Sequence, residues 1–335
     1  MGAKTLKFTK NLIFSLIAPI AVYVLFAIIC RANGIQTFGV GSDLEVIFRN
    51  TIYSGLISMA VSYNLTSGRF DFSVGATLIL SVILAVDITQ RMGLGPVPML
   101  IICMVIGGIL GTISGITYVM LRIPPMVVSL GITMIYEAIA FIYKSQGVKL
   151  IGQTKMLIFA RQPYITILAL IILAVFVFLL NFTKFGYDTN SLRSGQQIAV
   201  NAGINEKKNT VICYLLSGIL MAAAGIINLS ILGTASPKTG LGSSSYIMNA
   251  FLPLFIGGAL AKYSDRNIGI FIGSFMQACM ISILAKFNVS SSIQTIISGM
   301  VVFVFLIYTS NSYKFAEAKM FKNKLAKAKS MQVEA

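Results

Sequence analysis

The sequence predicts an all-α polytopic membrane protein with about ten transmembrane helices. Hydrophobic residues make up 56% of the 335 residues and charged residues only 11%, whereas a soluble domain carries about 25% charged residues. Long apolar stretches recur along the chain, and a helix needs roughly 20 apolar residues to cross a bilayer. Because lipid cannot satisfy backbone polar groups, we expect these stretches to be helices rather than open strands.

Ten stretches approach the length of a membrane-spanning helix. They cover residues 12–30, 44–65, 72–88, 96–120, 125–143, 163–181, 209–232, 246–260, 268–286 and 292–310. Residues 246–260 are short for a complete crossing, so we expect a tilted or half-inserted helix there. Lysines precede the first stretch, but no small-residue cleavage site follows it, so it is expected to be an uncleaved helix rather than a signal peptide.

The basic residues predict that both termini are cytoplasmic. The net charge is +16, and with an inside N-terminus and ten crossings most of the 26 Lys and Arg residues fall in inside segments. This bias is the positive-inside rule, although the outside loop 144–162 is also basic. The positive charge therefore indicates topology, and we expect membrane lipid but no nucleic acid as a partner.

Two polar segments interrupt the apolar pattern. Residues 182–208 are predicted to be a cytoplasmic loop whose centre, residues 196–203, forms a short helix ended by Gly203. Residues 313–335 are rich in Lys and Ala, and they are predicted to be a basic cytoplasmic tail lying at the anionic leaflet. We expect residues 1–335 to form a single transmembrane domain.

The polar loop separates two blocks, residues 44–143 and 209–310, that each hold four predicted spans. The blocks cross in opposite directions, which is typical of inverted repeats, although no residue-level repeat is visible. Gly107, Gly111 and Gly115 recur every four residues. Such a ridge favours close helix packing within the chain, with a dimer interface as the alternative.

The second span ends in a polar break at residues 66–75. Gly68 interrupts the helix, and Asp71 with Ser73 can cap the helix that follows. Arg69 and Asp71 form a charged pair beside the break, which lies either at an interface or inside the bilayer, where it would be costly and therefore functional. Asp71, Ser73 and Gly75 are therefore candidates either to line a path through the membrane or to support the break.

This segment resembles a signature of membrane permeases. Gly68-Arg69-Phe70-Asp71-Phe72-Ser73-Val74-Gly75 is similar to the Gly-Gly-Ile-Asp-Leu-Ser-Val-Gly of ATP-driven (ABC) importers of the ribose and simple-sugar type, relatives of the branched-chain amino-acid permeases. Four further segments agree with that family in order and spacing. They are residues 121–125 followed by Ser129-Leu130-Gly131, Ala199-x-x-x-Gly203-Ile204-Asn205, residues 237–240 with Gly242, and Gly257-Gly258 after Tyr246.

The sequence departs from the family pattern at positions that concern the substrate more than the fold. Ile247 and Asn249 stand where the family usually has acidic residues, and Tyr136-Glu137-Ala138 stands where it often has Tyr-Arg-Gly. The resemblance otherwise covers most of residues 44–310.

The resemblance implies a permease subunit in a bacterial cytoplasmic (inner) membrane, and not an enzyme. Its expected partners are two ABC ATPase subunits, an extracytoplasmic substrate-binding protein, and a second permease that is either the same chain or a similar one. ATP and Mg²⁺ would be used by the ATPase, and no cofactor is expected on this chain. Coupling to the ATPase is expected at Gln197, Ala199, Gly203, Asn205 and Glu206.

The substrate path has six candidate residues, and the implied cargo is a small polar solute, first of all ribose or another simple sugar. They are Asp71, Ser73, Gly75, Glu137, Asn249 and Pro253. Glu137 lies roughly 9 Å from the outer end of its span, so it should contact the substrate, pair with a lysine of loop 144–162 or reach the interface. Pro253 is expected to kink its helix and free a carbonyl.

No catalytic or metal-binding pattern is present in the sequence. The chain has no histidine, and its four cysteines are isolated, so neither a metal site nor a disulfide framework is expected. Residues 147–152 are followed by Gln153, so the Gly-Lys pair of a Walker A motif is missing. The alternative function is a stand-alone ion-coupled secondary transporter. It would need clustered membrane carboxylates, whereas Asp71 and Glu137 lie in different spans.

Overall fold

The computed structural model describes residues 17, 19–34, 41–260, 265–290, 292–307 and 310–311. These residues are mostly helical. The helices are α1 (Pro19–Ala32), α2 (Gly41–Leu65), α3 (Ser73–Met92), α4 (Pro96–Leu121), α5 (Pro125–Tyr143), α6 (Tyr164–Phe182), α7 (Lys184–Ser194), α8 (Gln196–Asn201), α9 (Glu206–Leu232), α10 (Ser245–Met248), α11 (Phe251–Leu260), α12 (Arg266–Lys286) and α13 (Ser292–Ile307). Two-residue strands β1 (Val148–Lys149) and β2 (Thr234–Ala235) pair with each other, and 3-10 turns cover Ile158–Ala160 and Gly242–Ser244.

Helices occupy all ten predicted stretches as far as these are described, which confirms the all-α polytopic class. Seven segments of the described chain are long and apolar enough to cross a membrane. They are α3, α4, α5, α6, α9, α12 and the interrupted segment Gly242–Leu260. Helix α2 has 25 residues, but Asp43, Glu45 and Arg49 make its first half polar. The count of ten crossings and the inverted repeat stay predictions.

Helix α9 packs along α2, α3 and α4. The contact with α4 runs along the predicted glycine ridge. A Cβ atom on Gly111 would lie 2.3 Å from the carbonyl oxygen of Tyr214, and one on Gly107 would lie 2.5 Å from that of Gly218. Because any side chain would push the backbones apart, glycine is required there. The ridge therefore packs within the chain, as the sequence favoured.

Contacts between loops define two ends of the helical bundle formed by α2 to α12. At one end, β1 pairs antiparallel with β2, and Lys144 Nζ lies 2.6 Å from Asp87 Oδ1. At the other end, Arg69 Nη1 donates to Thr210 Oγ1 at 2.9 Å. This grouping agrees with loops that alternate between two sides of a membrane. That the Arg69 end is cytoplasmic stays a prediction.

The segment 182–208 contains more helix than the sequence predicted. Helix α7 begins directly after α6 because Thr183 caps it, with Thr183 Oγ1 accepting from the Gly186 N–H at 3.4 Å. Helix α9 begins at Glu206, three residues before the predicted start at 209. The predicted loop is thus a pair of short helices and a brief connection.

The chain divides after Asn288 into two compact units. In the second unit, the Gln294 side chain of α13 donates to the Val289 carbonyl at 2.8 Å. The predicted basic tail, residues 313–335, lies outside the described residues. That residues 1–335 form one permease domain stays a prediction.

Candidate functional site

Helix α8 is a short helix flanked by two glycines. Gly195 separates it from α7, and Gly203 ends the turn that follows it, with a positive φ of 89°. Two reverse hydrogen bonds close that turn, from Gly203 N to Val200 O at 2.9 Å and from Ile204 N to Ala199 O at 3.1 Å. Such a left-handed ending suits glycine. The predicted short helix with Gly203 at its end is therefore confirmed.

One face of α8 is buried and the other is open. The Ala199 side chain is buried, whereas Ile198 is 78% exposed. Next to Ile198, a groove of about 490 Å³ runs between α7 and α8. Its lining includes Tyr187, Ser194 and Ile204. The end of the bundle thus presents an apolar side chain beside a mixed polar groove, which suits docking of a protein.

The start of α9 fixes the position of α8. Asn205 caps α9, because its Oδ1 accepts from the Lys208 N–H at 3.0 Å. Gln196 Nε2, on the first residue of α8, donates to Glu206 Oε1 at 2.6 Å. Gln197 is exposed. Of the predicted coupling residues, Ala199, Gly203, Asn205 and Glu206 thus shape or anchor the α8 turn, and Gln197 lies on its open surface.

Asp71 and Ser73 form a local cap at the start of α3. Asp71 Oδ1 accepts from the Ser73 N–H at 2.9 Å and from Ser73 Oγ at 2.6 Å, which agrees with the predicted capping role. The Asp71 side chain is buried in the connection between α2 and α3. Burial raises the pKa of its carboxyl to about 6, although the hydrogen bonds from Ser73 act in the opposite direction.

Gly75 and Glu137 both contact the chain at Ser243. A Cβ on Gly75 would lie 2.2 Å from the Ser243 carbonyl oxygen. Glu137, which is 3% exposed, accepts from the Leu241 N–H at 2.9 Å and from the Ser243 N–H at 2.8 Å. The carboxylate therefore binds the free N–H groups at the start of a short helical segment. The lysine of loop 144–162 nearest to α5, Lys144, pairs with Asp87 instead.

The segment Gly242–Leu260 is broken at Asn249 and Ala250, between α10 and α11. Pro253 has no N–H with which to bond the Asn249 carbonyl, so the helix cannot continue through this point. The Ala250 carbonyl accepts from Ser58 Oγ of α2 at 3.0 Å. Asn249 is exposed and Pro253 is buried. The break thus lies immediately before the proline that was expected to kink this helix.

Two buried charged residues near these sites were missed as site residues by sequence reasoning. Asp87 of α3 is buried and binds Lys144, Arg91 and the Tyr143 hydroxyl. Its signal was an acidic residue inside the predicted span 72–88. Arg69 was recognised as one of the charged pair beside the break but was not selected as a site residue, and it is 4% exposed. Nothing in the local sequence distinguishes it from a solvated arginine.

The chain matches a known protein family over most of its length. The family of branched-chain amino acid transport system permease components matches residues 44–306. The chain belongs to this family. Its match covers α2 to α12 and most of α13, and so includes α8, the break before α3 and the interrupted α10–α11 segment.

Several import permeases are similar in sequence to this chain. The ribose import permease RbsC of Bacillus subtilis is 28% identical over 77% of this chain and 81% of its own length. The autoinducer 2 import system permease LsrC of Klebsiella pneumoniae is 25% identical, covering 86% and 83%. The galactose/methyl galactoside import permease MglC of Haemophilus influenzae is 23% identical, covering 92% and 98%. No solved structure gives a significant match.

Proposed function

We propose that this chain is the membrane-spanning subunit of an ATP-driven, binding-protein-dependent importer in the bacterial cytoplasmic membrane. The observation that carries the proposal is α8, a six-residue helix at the end of the bundle that is anchored to α9 and exposes an isoleucine. The permease relatives import sugars or autoinducer 2 by their names. We expect the cargo here to be a small neutral polar solute, first of all ribose or another simple sugar.

Helix α8 is the proposed docking element for the ATPase. An isoleucine that is 78% exposed on a short, anchored helix is stabilised when a partner covers it. The Gln196 to Glu206 hydrogen bond of 2.6 Å links α8 to α9. Movement of α8 is therefore passed to a long helix that packs through the centre of the bundle. ATP itself would be bound and hydrolysed by the partner.

A small cavity that carries uncharged polar groups on a mainly apolar lining supports a neutral cargo. It has a volume of about 150 Å³ and lies between α2, the α10–α11 break and α12. Its polar lining consists of uncharged hydroxyl and amide groups, from Asn50, Tyr53, Ser54, Asn249 and Gln277. Polar groups within spanning helices are costly against lipid, so they should face a path. Hydroxyls and amides can both donate to and accept from sugar hydroxyls.

Two of the buried acids, Glu137 and Asp87, favour this function over an ion-coupled secondary transporter. Ion coupling requires a carboxylate that can bind and release an ion in the membrane. Both oxygens of Glu137 bind backbone N–H groups, and Asp87 binds two cations and a tyrosine hydroxyl. These carboxylates hold the fold together and are occupied, so they are poor coupling sites.

In the proposed cycle, two permease chains form the path between them and two ATPases dock at the α8 end. A substrate-binding protein delivers solute at the opposite end, where β1 pairs with β2. Closure of the ATPases on ATP shifts both α8 helices. The path then changes its access from one side to the other, and the solute is released to the cytoplasm.

The test is recovery of the ATPase with variants of two exposed isoleucines. Ile198 on α8 and Ile151 beside β1 lie at opposite ends and are 78% and 71% exposed. Ile198→Asp should reduce the amount of co-purifying Walker A ATPase about tenfold, since burying a charge costs a tight interface at least 1.4 kcal/mol. Ile151→Asp should leave it unchanged. Equal recovery with both variants would contradict docking at α8.

A further inference from the structure

Arg69 is a buried cation in the break between α2 and α3. Its residue is 4% exposed, and its backbone N–H donates to the Asn64 carbonyl at 2.9 Å. In the signature that residues 68–75 resemble, glycine stands at this position. A buried guanidinium is costly unless it is paired. The groups that contact the guanidinium therefore indicate the role of Arg69 in the structure.

The partners of Arg69 lie on one face of the first two turns of α9. Nη1 donates to Thr210 Oγ1 at 2.9 Å and lies 4.0 Å from Glu206 Oε1. Nη2 contacts Cys213 Sγ at 4.0 Å. Residues 206, 210 and 213 are spaced four and three apart and so share a helix face. Arg69 thus joins the break to the start of α9.

Glu206 connects the same charge to α8. Its Oε1 atom, which lies near Arg69, also accepts from Gln196 Nε2 at 2.6 Å. One carboxylate oxygen therefore lies between the first residue of α8 and the guanidinium in the break.

The residue before Arg69 gives the break a position at which the backbone can rotate. Gly68 has a φ of 74° with no atom near its Cβ position, and such a residue can absorb a backbone rotation. On its far side, Asp71 caps α3 through Ser73. Two residues further on, Gly75 touches the Ser243 carbonyl at the start of the interrupted segment Gly242–Leu260. A displacement at Arg69 would therefore reach the start of α3 and the interrupted segment.

We propose that Arg69 is the positioning residue that transmits movement of α8 to the α2–α3 break, through Glu206. This proposal rests on the proposed function, because it assumes that an ATPase moves α8. Arg69 touches neither ATP nor the solute. Its positive charge attracts Glu206, which is bonded to α8. Helix α8 and the break therefore move together. Without the charge, α8 and the break would move independently.

The test separates coupling from folding by measuring access to the segment that begins at Ser243. Ser245 is exposed and the four native cysteines are buried, so Ser245→Cys gives a site for a membrane-impermeant maleimide. The complex with its ATPase is reconstituted in nanodiscs. Labelling rates are measured without nucleotide and with ATP and vanadate. The variants are Arg69→Met, which keeps the length of the stem, and Arg69→Lys, which keeps the charge.

With Arg69 present, ATP should change the labelling rate. Arg69→Met should co-purify with its ATPase and hydrolyse ATP, yet its ATP-dependent change in labelling should fall about tenfold, within the usual range of coupling between sites. Arg69→Lys should restore part of it. Glu206→Gln, which keeps the acceptor for Gln196, should lose the same coupling, and combining it with Arg69→Met should add little.

Other outcomes overturn the proposal. An unchanged ATP response in Arg69→Met would show that the charge transmits nothing. Equal losses of complex and melting temperature in Arg69→Met and Arg69→Lys, or additive losses in the double variant, would show a structural role only. If the parent with Arg69 binds no ATPase, or shows no ATP response, the proposed function fails, and this result is distinct from failure of Arg69 alone.

Discussion

The carboxylate of Glu137 on α5 binds the backbone N–H of Ser243 at 2.8 Å, although the two residues are more than a hundred positions apart. The second oxygen accepts from the Leu241 N–H at 2.9 Å. A buried acid thus supplies the acceptors for a short helical segment that starts within the bundle. The start of the interrupted segment is therefore fixed to α5 and, through Gly75, to α3.

Removal of the Glu137 carboxylate should destabilise this junction. Glu137→Ala leaves the buried Ser243 N–H and the partly buried Leu241 N–H without acceptors, at about 1–3 kcal/mol for each buried group. Glu137→Gln keeps one acceptor and should lose about half as much. The measurement is the melting temperature of the purified chain in mild detergent. Glu45→Ala, at an exposed position of α2, is the control and should melt as the wild type does.

Gly75 should not tolerate even a methyl group. A Cβ there would lie 2.2 Å from the Ser243 carbonyl oxygen, whereas a Cβ on Gly131 of α5 meets nothing within 4 Å. Gly75→Ala should lower the melting temperature by several degrees, equivalent to about 1–3 kcal/mol of overpacking. Gly131→Ala should be neutral or stabilising by up to about 1 kcal/mol, because alanine favours the helix. Equal melting temperatures would contradict the close contact at Ser243.

Asp87 should stabilise the end of the bundle that carries β1 and β2. Its carboxylate lies 2.6 Å from Lys144 Nζ and 2.7 Å from Arg91 Nε. Asp87→Asn should lower the free energy of unfolding by about 1–3 kcal/mol. In a double-mutant cycle with Lys144→Met, the effects should be non-additive by about 0.5–3 kcal/mol. Lys155→Met, at an exposed position, should have no effect, and additive effects at Asp87 and Lys144 would show that the pair contributes nothing.

Asp71→Asn should remove a pH dependence of stability. Burial raises the pKa of the folded carboxyl to about 6, above about 3.9 for an unfolded aspartate. The unfolded chain therefore loses its proton first, and the free energy of unfolding falls as the pH rises from about 4 to about 6. The neutral asparagine avoids this loss, so its advantage should reach roughly 1–3 kcal/mol at pH 7.5 and vanish near pH 4. Parallel melting curves at all pH values would contradict a buried, destabilised Asp71 charge.

Local sequence features predicted the helices and the shape of α8. Apolar runs of about 20 residues require helices in lipid whatever their neighbours are. The glycine ridge of Gly107 and Gly111 predicted close packing, because glycines at one face of a spanning helix allow a second helix backbone to approach closely. Gly203 predicted the end of α8 for a similarly local reason.

The contacts of Glu137 and Arg69 could not be predicted in the same way. The partners of Glu137 are backbone N–H groups, which every residue carries and which leave no signal in the sequence. Arg69 stands beside a break, where a solvated and a buried arginine look alike. Its burial depends on how α9 packs against the break, and that packing joins segments about 140 positions apart in the chain.

The most direct test of an ATP-driven importer is solute uptake into proteoliposomes that contain this chain and its co-purified ATPase. Uptake of labelled ribose, galactose or fructose is measured with the binding protein added on the side of the membrane that the β1–β2 end faces. The predicted result is uptake that requires ATP on the side of the α8 end and does not respond to a proton or sodium gradient. Uptake driven by an ion gradient, by the chain alone and without ATP, would contradict the importer and would identify a secondary transporter.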